Sequence, residues 1–332
     1  MNSDHSNRSN EAITTALLLA AGKGSRLYPL TRDTPKCLTM VQGASILERL
    51  VINLKKQGFK RLVVVTGYQE KCIRDFLETR ACGMEIDFII SPLYATTNNI
   101  YSLWMARNTI NEPFLLVESD LVFDGSLLDE MCSPDRIAVA RMQPWLNGST
   151  VTVNKSQNVK KFHNGIAEAL DDIRYKTVNI YSFSLSSWHR ITERLDQYIS
   201  AGRVNGYYET VFAEMVANGS LTLKTVSFDS KRWYEIDTVA DLATAETLFS
   251  TDKYETIIPY DTKPHDSGRS RPFFQQSKCG VKVGITRSLS GLKPLLHSST
   301  FNLRSNREAK TLKNEVLHKK NIKCGIHDAT KL

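Results

Sequence analysis

Leu18-Leu19-Ala20-Ala21-Gly22-Lys23-Gly24-Ser25-Arg26-Leu27, followed at a short distance by Pro35-Lys36, is the stretch on which the reading of this chain turns. Its approach, Thr15–Ala20, is an unbroken apolar run ending at a glycine, the pattern of a parallel strand buried on both faces. Open α/β sheets bind ligands beyond the carboxyl ends of their strands, which is where this loop falls. Gly22 and Gly24 let backbone N–H groups come close to phosphate oxygens. Lys23 and Arg26 add positive charge, and a guanidinium can grip phosphate with two parallel bonds. The loop is neither of two familiar phosphate cradles: Leu27 stands where GxGxxG needs its third glycine, and no GxxxxGK[ST] is present.

Downstream the chain keeps an alternating rhythm. A helical stripe over 45–57 is followed by a β-branched run, Arg61–Thr66, a helix over 70–79, a strand over 85–90, a helix over 100–109 and a strand over 113–117. That order predicts an α/β fold, a Rossmann-like, mostly parallel sheet with helices on both faces. Beyond it, strands at 137–142, 149–153 and 177–184 follow with few helices between, which predicts a more antiparallel second half. Helices are expected at 187–200, 208–218 and 239–249, with strands at 221–227 and 233–236.

Two further segments carry carboxylates. Phe114–Phe123 is an apolar strand that delivers Asp120 to the same edge as the glycine loop. Trp233-Tyr234-Glu235-Ile236-Asp237-Thr238 places a second aspartate just before a helix, where either Asp237 or Thr238 could serve as the N-cap. A hard cation such as Mg2+ needs only one or two carboxylates when substrate phosphates complete its shell.

Composition narrows the setting. The 332 residues are 41% hydrophobic, enough for a core, and no apolar run approaches a membrane span. The first twelve residues are polar, without the apolar stretch of a secretory signal, so the address expected is cytoplasmic. The six cysteines form no CxxC pair and read as free thiols rather than zinc ligands. The net charge of +8 is unevenly spread: residues 1–250 hold 27 Lys and Arg against 28 Asp and Glu, whereas 251–332 hold 16 against 7. Those basic residues are dispersed and poor in aromatics, so nucleic acid is not an expected partner. The division expected is a polar extension over 1–12, one domain over 13–250, and a poorly ordered basic tail over 251–332.

Taken together, Ala20-Ala21-Gly22-Lys23-Gly24-Ser25-Arg26-Leu27 and Pro35-Lys36 resemble the nucleotidyltransferase family that activates sugar phosphates and phospho-alcohols. The resemblance implies the nucleotide-diphospho-sugar transferase type of fold and a loop, Ala20, Ala21, Gly22, Lys23 and Gly24, wrapped around a triphosphate. It puts Arg26 near the departing pyrophosphate and Lys36 on the α-phosphoryl group and the acceptor phosphate. Asp120 and Asp237 become the ligands of Mg2+, although Ser119-Asp120 stands where the family has Gly-Asp. Direct attack of an already ionised acceptor requires charge neutralisation and alignment rather than a general base, which agrees with seven unclustered histidines.

Asn98-Asn99-Ile100-Tyr101-Ser102-Leu103 is similar to the branch that uses CTP with phosphocholine, 2-aminoethylphosphonate or related acceptors. It implies nucleotide contacts from Asn98, Asn99 and Ser102, with Tyr68 nearby. Two asparagines before a helix are equally N-cap candidates. For the acceptor the expected residues are Trp145, Tyr181, Tyr207, Trp233 and Tyr234, aromatic faces for an ammonium group, with Glu209 as a carboxylate to pair with it. The favoured acceptor is 2-aminoethylphosphonate, with phosphocholine, inositol phosphate or a sugar phosphate as alternatives. A homo-oligomer is left open. A non-catalytic regulatory homologue would show losses at the loop or the aspartates, yet all are present. Leu248–Thr256 resembles the junction of a longer architecture in which such an enzyme precedes a pyridoxal-phosphate transaminase domain. The sequence after Pro259 does not continue that likeness, and the tail shows no Schiff-base lysine context.

Overall fold

The computed structural model describes residues 12–80, 83–143, 146–163 and 173–251. Trp145, the polar extension and the basic tail therefore lie outside the described residues, apart from Ala12 and Thr251 at their edges. Strand β1 (Thr15–Ala20) is buried at every position, as its apolar run requires. A short hairpin, β2 (Met40–Val41) and β3 (Ala44–Ser45), leads into helix α1 (Ile46–Lys56), which Ser45 caps by accepting from Glu48 N. Then come β4 (Arg61–Thr66), α2 (Glu70–Arg80), β5 (Glu85–Ile90), α3 (Asn99–Met105) and β6 (Phe114–Glu118).

The first half closes with β7 (Leu121–Phe123). The second contributes β8 (Arg136–Arg141), β9 (Thr150–Val153), β10 (Val159–His163), the long β11 (Arg174–Phe183), α4 (Leu185–Ser200) and α5 (Glu209–Ala217). Last come β12 (Lys224–Ser227), β13 (Trp233–Glu235) and α6 (Val239–Leu248).

Among the described residues these strands make one nine-stranded sheet whose main path runs β10-β9-β11-β6-β1-β4-β5, with β8 joining β11 and β12 joining β8. The pairs β1/β4, β1/β6 and β4/β5 are parallel, while β11 runs antiparallel to β6, β8 and β9. From β1 the chain winds outward through β4 to β5, then returns to place β6 on the other side of β1. This reversal is a topological switch point, and it brings the ends of β1 and β6 together at one edge.

Two apolar layers cover the sheet. One includes Leu18, Val64 and Val117 with α1; the other includes Leu17, Val63 and Leu116 with α3, α4 and α5. The alternation of partners along each strand follows from the period of two. A third, smaller cluster joins Leu27, Val41, Ile46, Val122, Ile236 and Phe249, tying the glycine loop to the closing helix. Cys37 and Cys132 are free thiols, but Cys72 is disulfide-bonded, contrary to the expectation of free thiols throughout.

Candidate active site

The loop after β1 owes its course to Gly24. Its φ is +59°, in the left-handed region, and a Cβ there would sit 2.9 Å from the Cβ of Lys36. The close approach lets Lys36 lie under the loop. Thr31 donates its hydroxyl to Gly24 O at 2.9 Å, and Ser25–Leu27 forms a single tight turn that presents Arg26. Pro35, with φ −66°, opens a second tight turn, Lys36–Leu38. Gly67, at the end of β4, is a further close approach: a Cβ would lie 2.8 Å from Ala21 O and 2.6 Å from Tyr94.

Both aspartates arrive through a separate two-stranded ladder. β7 and β13 pair antiparallel, and Ile236 N donates to Asp120 O at 2.9 Å. Helix α6 is then capped by Thr238, whose side chain accepts from Asp241 N, with Asp241 reaching back in a capping box. Because Thr238 takes the cap, the Asp237 carboxylate is left to face the glycine loop.

Four charged groups meet there. Lys36 Nζ lies 2.8 Å from Asp120 Oδ2 and 2.7 Å from Asp237 Oδ1, and Arg26 Nη2 lies 2.8 Å from the same Asp237 oxygen. Burial works against the Lys36 ammonium, but the charges of Asp120 and Asp237 outweigh it and hold its pKa above the ordinary lysine value. The other Asp120 oxygen, Oδ1, is buried and has no hydrogen-bond partner. An orphaned anionic oxygen beside a second carboxylate suits a hard divalent cation, which takes oxygen ligands and needs few from the protein. Among the described residues no group of three or more His, Cys, Asp or Glu could hold a metal, so such a cation would depend on substrate oxygens as well.

The cleft above these groups measures about 290 Å³ and is lined by Gly22, Ser25, Arg26, Asn99, Ser102 and Tyr207, among others. A second hollow of about 150 Å³ shares Arg26 and Asp237 with it and is lined by Lys176, Tyr234 and Glu235. Here charge is buried: Lys176, 2% exposed, holds Glu235 Oε2 at 3.1 Å and donates to Thr177 O at 2.7 Å. Burial raises the pKa of Glu235 and, with help from Asp120 and Glu209, that of Glu118 well above the usual carboxylate range. Burial likewise pushes Glu209 up to about 7.

Residues 15–169 match the nucleotidyl transferase family. The chain carries a nucleotidyl transferase domain. Its relatives include the CMP-5'-(3-aminopropyl)phosphonate synthase of Streptomyces rubellomurinus, 28% identical over 73% of this chain. The match covers 40% of that longer protein. The CTP:phosphoglutamine cytidylyltransferase of Campylobacter jejuni is 26% identical over 68% of this chain and 97% of its own length. The structure of the CTP:phosphocholine cytidylyltransferase of Streptococcus pneumoniae superposes with a TM-score of 0.62 at 20% identity. That superposition covers 72% of this chain and 99% of the other, and it speaks for the fold.

Gly22, Gly24, Arg26, Lys36, Asn98, Asn99, Ser102, Asp120 and Asp237 line the first cleft together. Ala21 joins them, whereas Ala20 is buried in β1 and Lys23 is exposed beside the loop. Tyr68 does other work: its phenol donates to the Thr31 and Arg32 carbonyls and so tethers the loop that carries Lys36. Asn98 caps α3 through Asn99 N at 2.8 Å. Asn99 donates to Glu118 Oε1 at 3.0 Å and accepts from Tyr208 N at 3.1 Å, so its amide bridges the end of β6 to the start of α5.

The acceptor residues read from the sequence do not gather. Tyr181 is a core residue, fully buried, stacked with Phe183 and edge-on to Tyr208 and Phe212. Trp233 faces a larger groove of about 600 Å³ bounded by Phe228, Arg141 and Leu248, which shares none of the loop residues or aspartates. Glu209 is buried at the start of α5, with Oε2 unpartnered. Tyr207 lines the first cleft and Tyr234 the second. Glu118, Lys176 and Glu235 were missed. Nothing local marks them, since burial of a charged side chain depends on tertiary partners.

Proposed function

We propose that this chain is a cytidylyltransferase that moves the cytidylyl group of CTP onto a small amine-bearing phosphonate or phosphate and releases pyrophosphate. The observation that carries the reading is the meeting of Arg26, Lys36, Asp120 and Asp237 beside the Gly22–Arg26 loop. An acceptor oxygen attacks the α-phosphorus, the bond to the β-phosphate's bridging oxygen breaks, and that electron pair leaves with pyrophosphate. Both partners are anions, so neutralisation and alignment dominate the barrier. The loop's backbone N–H groups and Arg26 hold the triphosphate, and Lys36 faces the reacting phosphoryl group. Asp120 and Asp237 would hold Mg2+, which when bound neutralises charge on the entering and leaving oxygens.

The acceptor runs from the first cleft toward the second in this reading. Its phosphorus end meets Arg26 and Lys36, and its amine end meets Glu235 and Tyr234. Aminoalkylphosphonate chemistry in the name of the Streptomyces relative supports 2-aminoethylphosphonate as the favoured acceptor. The activity is assigned to residues 13–250, acting in the cytoplasm, and none to 251–332.

The test is Mg2+-dependent pyrophosphate release from the full chain. CTP, UTP, GTP and ATP are each paired with 2-aminoethylphosphonate, phosphocholine, inositol phosphate and glucose 1-phosphate. Turnover with CTP and an amine-bearing acceptor is the expected result. Turnover confined to a sugar phosphate would overturn the acceptor, and silence across the grid from folded protein would overturn the activity.

A further inference from the structure

We infer that the groove of about 600 Å³ beside β13 is the docking site of the chain's own residues 252–261, which strap it shut. The groove is open and largely apolar, with Phe228, Trp233 and Leu248 in its lining. A hollow of this size takes a ligand or a short peptide segment. Its charge is lopsided. Arg141, Lys231 and Arg232 line it against one carboxylate, Asp229, which sits 3.6 Å from Arg141. Asp124, outside the lining, lies 3.6 Å from Arg232, and Lys231 donates to a neutral carbonyl, Ser126 O, at 2.7 Å. Even with Asp124 counted, a positive excess remains.

Helix α6 forms one wall through Thr244 and Leu248, a turn apart, and ends there. Arg232 holds that end: Nη1 donates to Leu248 O at 3.4 Å, and the guanidinium lies 5.1 Å from the centre of the Phe249 ring. Ser250 and Thr251 therefore leave the fold at the rim of the groove. The next ten residues, outside the described residues, read Asp252-Lys253-Tyr254-Glu255-Thr256-Ile257-Ile258-Pro259-Tyr260-Asp261. Four large apolar side chains stand among three acids and one lysine, so the segment matches the groove in polarity and opposes it in charge. The rest of the tail does not: residues 262–332 hold 15 Lys and Arg against 4 Asp and Glu. Extended, ten residues reach at most roughly 35 Å, several times the width of the groove. The tether also keeps the segment at an effective concentration on the order of millimolar, so modest contacts suffice. Tyr234 and Leu146 line both this groove and the second hollow, and the strap thus backs a wall of that hollow. The inference stands independently of the proposed activity.

The experiment is amide hydrogen exchange of the full chain, read by mass spectrometry over residues 254–258. Wild type is compared with Thr244→Trp, which fills the groove, and with Ile257→Asp combined with Ile258→Asp, which spoils the segment. Thr244 is exposed, and its hydroxyl donates to Ala240 O of its own helix. The wild-type amides should exchange roughly tenfold or more slowly than those of either variant, once the changed side chains are allowed for. Equal exchange in wild type and Thr244→Trp would overturn the inference. Protection that fades on dilution would also overturn it, by placing a second copy's segment in the groove. If Thr244→Trp does not melt cooperatively, Arg141→Glu, at a side chain 76% exposed, reads the same comparison by reversing a charge on the rim.

Discussion

The parallel half of the sheet and the antiparallel half solve the problem of holding charge in opposite ways. β1, β4 and β6 are apolar inside, and their chemistry begins only where they end, at Gly22, Gly67 and Asp120. β11 instead carries Lys176, Thr177 and Asn179 in its buried interior, with Glu209 and Glu235 packed nearby. In the first half, the groups proposed to meet phosphate sit on loops above a finished core, so removing one should cost rate and little stability. In the second half the polar groups are part of the core, so removing one should cost stability directly.

The largest effect that could break this contrast is at Asp120. Asp120→Ala should lower turnover by roughly 10³-fold or more while the melting temperature stays within a few degrees of wild type. Near-normal activity would end the metal assignment, and loss of cooperative melting would end the separation of chemistry from core. Lys36→Ala should lower kcat by roughly 10²-fold or more; a rise in KM with kcat unchanged would mean uniform substrate binding instead.

Next in size is Lys176→Met, which strands Glu235 without its cation. It should destabilise the protein by about 3 kcal/mol in urea titrations, and Lys176→Met with Glu235→Leu should recover much of that loss. Additive losses in the double variant would show that the pair is not a unit.

Glu209 gives a smaller effect with a defined sign. Pushed up by burial from about 4.5 to about 7, its carboxyl binds a proton more tightly in the folded protein than in the unfolded chain. The folded state therefore holds the extra proton between those values. Its contribution to stability is greatest below about pH 4.5, declines as pH rises, and is lost once pH passes 7. Glu209→Gln should match wild type near pH 5 and exceed it near pH 8 by on the order of 1–2 kcal/mol. Parallel stability curves for the two proteins would contradict this.

The smallest expected effect lies at the seam between the halves. Asn99→Ala cuts the bridge from Glu118 to Tyr208 N and should lower kcat/KM for the acceptor by roughly tenfold or less, with KM for CTP little changed. A larger change for CTP than for the acceptor would return Asn99 to base recognition.

The same contrast explains what could be read in advance. TALLLA and RLVVVT announce strands because every position is apolar, and the loop motif between them leaves few alternatives. Val159–His163 escaped because Lys160 and Lys161 face outward side by side at an irregularity in its pairing, hiding the alternation. β7 is only three residues long and has no period to detect. Tyr68 and Asn99 stood in the expected neighbourhood, but which atoms they bond depends on carbonyls and carboxylates from distant segments. Aromatic residues offered as acceptor contacts proved the least legible, since Tyr181 and Trp233 look alike in sequence and lie in a core and a groove.

The ladder between β7 and β13 has a consequence for how this enzyme comes into being. Asp120 and Asp237 are registered to one another by strand pairing and by Ile236 N on Asp120 O, contacts between segments far apart along the chain. Long-range pairings of this kind close late, because the entropy of the intervening loop is lost before any contact compensates. A growing polypeptide can complete β1, β4 and the glycine loop early and still have only half of its carboxylate pair. On the proposed role of that pair, catalytic competence arrives at a single late moment, when β13 docks, rather than accumulating as the chain emerges.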